Sequence, residues 1–235
     1  MTTLVVLQPG YLPWLGFFDQ LRRSDVFVYY DDVQFDKHGW RNRNRIKGPK
    51  GAHWLTVPVL HKGRMGQRID EVEIDPKLPW ARKQIETIRQ FYAKAPFVGR
   101  YLPELEAVLD RNWGNLVDLD IAVAEAMAGW LGLEREMFRS SQLPVEGDRN
   151  LRLLSLCRHF GATRYLSGNA AQSYLDLDLF QTTGIDVEWQ DYQHPVYPQL
   201  HGPFEPALSA LDLVLNVGEE APSVLRLGPA WQPRG

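Results

Sequence analysis

Cysteine is nearly absent from this chain: Cys157 stands alone in 235 residues. That excludes a disulfide framework and a cysteine-based zinc site, and it predicts a reducing, cytoplasmic setting. Long apolar runs are missing as well. The opening MTTLVVLQPG has no basic leader region, and its hydrophobic stretch is too short for a signal peptide or a membrane span. No membrane insertion is expected. A formal net charge of -3 leaves no global basic field to draw the protein to nucleic acid or an anionic surface. The sequence contains no G-x-G-x-x-G, no G-K-[ST], no H-E-x-x-H and no C-x-x-C, so dinucleotide oxidoreduction, P-loop hydrolysis and zinc proteolysis find no support. Repeats, low-complexity tracts and flexible linkers are also lacking.

What is present is a chain with 44% apolar residues, enough to bury a substantial core. Thr3 to Leu7 is a short β-branched run that reads as a buried parallel strand. WLGFFDQLRRSD carries Trp14, Leu15, Phe18 and Leu21 at helical spacing, and VFVYYDD reads as a second buried strand. Strand, helix and strand within about thirty residues predict a right-handed βαβ unit with parallel strands. The QPGYLP turn and the DDVQF segment then lie at the carboxyl edge, where open α/β sheets place ligands. Trp54 to Val59 is a third strand candidate following a basic loop. From Trp80 to about Leu131 the periodicity is helical, predicting a lobe inserted over about 78–132 in one domain spanning 1–235. A helix ending at Gly161, a strand TRYLS, a helix entered through GNAA, a strand in GIDVEWQDY and one short helix in the Pro-rich tail complete the expectation.

Four segments carry candidate chemistry. In QPGYLPW, Pro9 and Pro13 fix φ and Gly10 permits an otherwise costly conformation, so Gln8, Tyr11 and Trp14 stand on a preformed loop. In DDVQFDKHGWRNRNRIKGPKG, six Arg or Lys residues fall within fourteen positions. Lys37, Arg41, Arg43 and Lys47 are expected to bind phosphate, with Gln34, Trp40 and Asn42 orienting the rest of the ligand. Asp31 and Asp32 point to opposite faces if extended, so at most one is expected to enter the site, as a general base or a hydrogen-bond acceptor for an amine; Asp32 or His194 is the candidate base. A divalent cation at either acid is possible, but no ligand spacing requires a metal. Ser167 meets a helix N-terminus and, without a G-x-S-x-G elbow, reads as a ligand or cap. In HPVYPQLHGPF, His194 is the titratable candidate, with Tyr197 and Gln199 beside it. Cys157 falls on one helical face with Leu153, Leu154 and Phe160 and reads as core.

The blocks LQPGYLPWLGFFDQL, DVFVYYDDVQFDKHGWRNRNRIK, WLTVPV, YLSGNAAQSYL and HPVYPQLHGPFEPALSALDLVLNVG resemble, from Val5 to about Gly218, the WbqC-like protein family. That resemblance implies an association with bacterial surface polysaccharide and O-antigen synthesis, and a glycine or aminoacyl transferase activity. The first βαβ unit is also similar to the Rossmann-like, HUP-like fold of nucleotidyltransferases and class I aminoacyl-tRNA synthetases. Those carry His-x-Gly-His at this turn; here Trp14 and Gly16 occupy comparable places and neither histidine is present. The expected function is therefore amide-forming acyl transfer to the amine of an amino-sugar nucleotide or related compound. The activated donor is ATP-derived, a thioester or aminoacyl-tRNA, and the sequence identifies no bound cofactor. The alternative is a non-catalytic sugar-nucleotide or partner-binding module of a glycan assembly complex. The sequence sets no oligomeric state.

Overall fold

The computed structural model describes residues 1–37 and 39–232. Its centre is a five-stranded, all-parallel sheet. β1 (Thr3–Leu7), α1 (Leu15–Arg23) and β2 (Val26–Tyr29) form the expected βαβ unit, with Leu4 opposite Val26 and Leu7 opposite Tyr29. The chain then leaves the sheet for an antiparallel hairpin, β3 (Arg43–Gly48) and β4 (Gly51–Thr56), and for three helices, α2 (Trp80–Phe91), α3 (Val98–Leu109) and α4 (Leu116–Trp130). It returns through β5 (Met137–Arg139), α5 (Arg149–His159), β6 (Arg164–Ser167), α6 (Leu177–Thr182) and β7 (Asp186–Trp189), and ends in α7 (Ala210–Val217) and α8 (Ala221–Leu227). The sheet order is β5-β2-β1-β6-β7. β1 and β6 are thus the pair at which the strand order reverses direction.

Period-two alternation sends β1 side chains to both faces. Val5 packs with Phe27, Tyr29, α1 and the helical lobe, whereas Leu4 and Val6 pack with Val28, α5 and α6. Helix α1 is buried from Leu15 through Leu21, and Ser24 ends it by donating its hydroxyl to the Leu21 carbonyl at 2.8 Å.

Four details differ from the sequence reading. The basic segment is not a loop: Arg43 to Gly48 pairs with Gly51 to Thr56, so Trp54 belongs to a separate hairpin rather than to the main sheet. The edge strand β5 is three half-buried residues long, too short to give a period. GNAA opens a 3-10 turn over Asn169–Ser173, and α6 starts later, capped by Asp176, so Ser167 does not abut an α-helix N-terminus. The one short helix expected in the tail is α7, and a second, α8, follows beyond Gly218. Among the described residues no helix is long and apolar enough to cross a membrane.

Candidate functional site

A cavity of about 750 Å³ opens at the carboxyl ends of β1 and β6. Its floor is the β1–α1 turn. Tyr11 N–H donates to the Arg41 carbonyl at 3.0 Å, and Arg41 Nη1 donates to the Pro9 carbonyl at 2.9 Å. Asn44 Nδ2 donates to the carbonyls of Leu12 at 2.8 Å and Tyr11 at 3.2 Å. Three turn carbonyls are therefore held by side chains at the start of the hairpin, which compensates the left-handed φ of 46° at Leu12. Gly10 does not have a positive φ, so the turn does not draw on its conformational freedom. It is needed because a Cβ there would come within 3.0 Å of the Trp40 carbonyl oxygen. Gly16 is constrained in the same way, since an added Cβ would lie 2.2 Å from Cζ2 of the Trp14 indole.

Of the expected residues, Gln8, Trp14, Gln34, Trp40, Arg41 and Ser167 line this cavity. Tyr30, Arg149 and Tyr174 join them unforeseen, with the Arg149 guanidinium 5.3 Å over the Tyr174 ring. Gln20, buried within α1, also forms part of the wall. Its position in a helix gave one sequence signal only, a polar pair with Asp19 inside an otherwise apolar turn. Arg41 and Arg149 are the charged groups of the wall among the described residues. Burial lowers the Arg41 pKa, opposed by Asp120 and Asp36, while burial raises that of the Tyr30 hydroxyl.

The other expected residues are held elsewhere. Asp32 pairs with Arg152 and accepts the Ser140 hydroxyl at 2.6 Å, outside the cavity wall. Asp31 is fully buried and accepts from Arg139 Nε at 2.7 Å and from Ser141 N–H at 2.9 Å. The two acids thus tie the end of β2 to the segment around Ser140, Asp31 reaching β5 through Arg139 and Asp32 reaching α5 through Arg152. Tyr11 is buried and donates to Gln84 Oε1 at 2.7 Å, tying the turn to the helical lobe. Asn42 donates to the Val57 carbonyl at 2.8 Å. Arg43 lies 4.7 Å over Trp54, whose ring is 5.1 Å from that of Trp40. Lys37 is exposed.

Lys47, expected to hold phosphate, is 2% exposed, and its ammonium donates to Gln199 Oε1 at 3.1 Å and to the carbonyls of Gly202 and Pro203. Beneath it Asp212 accepts from Tyr92 Oη at 2.6 Å and Tyr197 Oη at 3.0 Å. Burial raises the Asp212 carboxyl above the usual range despite those bonds. His194 sits among Tyr192, Tyr197 and Phe204, with Nδ1 2.8 Å from the Pro195 carbonyl. Burial lowers its pKa. Lys47, Tyr197, Gln199 and His194 are a packing unit that fixes the extended tail, away from the cavity. No group of three or more His, Cys, Asp or Glu side chains converges as a metal site among the described residues.

The strand order defines an α/β protein with a five-stranded, all-parallel sheet flanked by helices and a small antiparallel hairpin, and the cavity lies at the point where that order reverses. The chain belongs to the WbqC-like protein family, whose model matches residues 8–224. It is also 39% identical over 228 residues to the uncharacterized protein Rv1507c of Mycobacterium tuberculosis, an alignment covering 96% of this chain and 98% of that protein. No solved structure matches the chain.

Proposed function

We propose that this protein is an amide-forming transferase that passes glycine or a related acyl group from an activated donor to the amine of a small anionic acceptor, an amino-sugar nucleotide being the type. The observation that carries the reading is the cavity itself. A space of about 750 Å³ is large enough for such a ligand, and its charged side chains are Arg41 and Arg149, set among the aromatic rings of Trp14, Trp40 and Tyr174. Arginines serve phosphate or carboxylate, and the rings serve the planar or sugar faces of the ligand.

The chemistry balances without a protein nucleophile. The amine nitrogen attacks the activated acyl carbon and a C–N bond forms. The C–O or C–S bond to the leaving group breaks, and that group takes the electron pair. The amine proton passes to the leaving group or to water. Holding two such reactants in contact is itself worth several kcal/mol, about 7–11 in well-oriented cases. Because Asp32 and His194 are engaged outside the cavity, this reading assigns the acceleration to positioning rather than to either group.

The engagement of those two groups also favours a second reading, a sugar-nucleotide-binding module without turnover. One experiment separates the two. The protein is incubated with UDP-glucosamine and, in turn, glycine plus ATP, a glycyl thioester and glycyl-tRNA, and the acceptor is followed by mass spectrometry. An acceptor heavier by one glycyl residue, lost in Arg149→Ala, supports the transferase. Binding of UDP-glucosamine with no mass change under any donor supports the binding module.

A further inference from the structure

Three hydrogen bonds fix the orientation of an amide in the cavity wall. Gln190 Nε2 lies 2.7 Å from the Gly16 carbonyl oxygen and 3.1 Å from Asp19 Oδ2. Asp19 is ion-paired with Arg22 at 2.9 Å and Arg23 at 3.4 Å. A carbonyl and an ion-paired carboxylate only accept, so the group that Gln190 turns toward them is its NH2. Its Oε1 then faces Gln20, at 2.7 Å from Gln20 Nε2, and must receive a donor. The Gln20 amide is locked in turn with its NH2 toward Gln190, and Gln20 Oε1 is left buried without a partner. Gln20 and Gln190 are each 4% exposed, and a flip of either amide would set oxygen against oxygen, so the bonds fix both orientations.

A buried, unpartnered acceptor is costly to keep, and of the described side chains that keep one, Gln20 is the one in the cavity wall, where a ligand's donor can complete it. The other buried side-chain amide of the wall is already committed: Asn44 Oδ1 accepts the Arg45 N–H at 2.8 Å and Asn44 Nδ2 holds the turn carbonyls. Arg41 and Arg149 offer donors to an anion, whereas Gln20 offers an acceptor to a donor. A ligand matching both carries an anionic group and an N–H within one molecule.

We propose that Gln20 Oε1 is the amine-recognition point of this site, accepting an N–H from the amine of a ligand whose anionic group meets Arg41 or Arg149. The inference rests on the reading of the cavity as the ligand site, and it names the group that sets ligand choice there. The amine has two chemical sources, an amino-sugar phosphate or an amino acid.

The test measures binding of glucosamine 6-phosphate, 2-deoxyglucose 6-phosphate and glycine to the wild-type protein and to Gln20→Met by titration calorimetry. The amino sugar should bind the wild type about tenfold more tightly than the deoxy sugar, and Gln20→Met should bring that ratio to about one while leaving the deoxy sugar unchanged. Glycine binding lost in Gln20→Met, without discrimination between the sugars, supports the acceptor role and assigns the amine to an amino acid. A sugar ratio and a glycine affinity that are both the same in the two proteins overturn the role of Gln20 and leave the transferase reading intact. Failure of all three probes to bind the wild type overturns both. If Gln20→Met does not fold, the wild-type Gln20 side-chain carbonyl carbon resonance decides: movement with an amine probe and not with the deoxy sugar supports the proposal, and equal response overturns it.

Discussion

The Lys47 ammonium lies 3.1 Å from Gln199 Oε1, joining the hairpin to a tail segment that follows it by 152 residues. With the Gly202 and Pro203 carbonyls also on Nζ, a cation the sequence marks for phosphate is consumed in fastening the chain to itself. Lys47→Met should lower stability by about 1–3 kcal/mol, since it removes the ammonium donor from the Gly202 and Pro203 carbonyls and from Gln199 Oε1, and withdraws a positive charge from above Asp212. Thermal unfolding and limited proteolysis of the tail check this. An unchanged melting temperature with the tail equally resistant would show that the fastening contributes nothing.

Gly16→Ala should displace the Trp14 indole, because the new methyl group would occupy ring space. The expected cost is about 1–3 kcal/mol, as for other overpacked positions. Trp14 touches Tyr192 edge-on at 5.2 Å, so its fluorescence should shift as the pair separates. A variant with wild-type emission and stability would contradict the packing described.

Asp120 is fully buried and neither carboxylate oxygen has a partner. Burial raises its pKa well above the ordinary carboxyl value, and Arg41 opposes that only in part. A carboxyl with a higher pKa in the folded state binds more protons folded than unfolded, so its contribution falls as pH rises from about 4 through the folded value. Asp120→Asn should therefore gain on the wild type as pH rises from about 4, with the gap widening up to the folded pKa and constant above it. Urea unfolding of both proteins across that range gives the answer, and parallel stability curves would count against it.

Cys157 is fully buried on α5, and burial pushes its thiol up to about 12. A maleimide at neutral pH should leave the folded protein unlabelled and modify it once in denaturant. Rapid labelling of the native state, read by intact mass, would be inconsistent with its placement beside Leu153 and Leu154.

The first βαβ unit is legible in the sequence because Leu4, Val5, Val6, Phe27 and Val28 are continuous apolar runs, which only a strand covered on both faces requires. Strand β5 is not, because three half-buried edge residues make no pattern. Within the site, Gln8, Trp14, Trp40 and Arg41 were readable as polar and aromatic residues at a strand's carboxyl end. The basic run misled because a charge count treats its members alike. In the hairpin, neighbouring residues face opposite ways, so Asn44 turns in to the β1–α1 turn while Arg43 and Arg45 lie against Trp54. Gln20 was beyond reach, since its role depends on Gln190, 170 residues further along.

The central strand has a consequence for biosynthesis. β1 is made first, yet its neighbour β6 follows it by about 160 residues, with Thr3 opposite Arg164. At roughly 5–20 residues per second, one edge of an apolar strand stays open on the ribosome for about 8–30 s after its synthesis. During that interval Leu4, Val5 and Val6 present an unsatisfied backbone template to any passing chain. The nascent protein is thus open to strand pairing along this edge of β1 until β6 emerges.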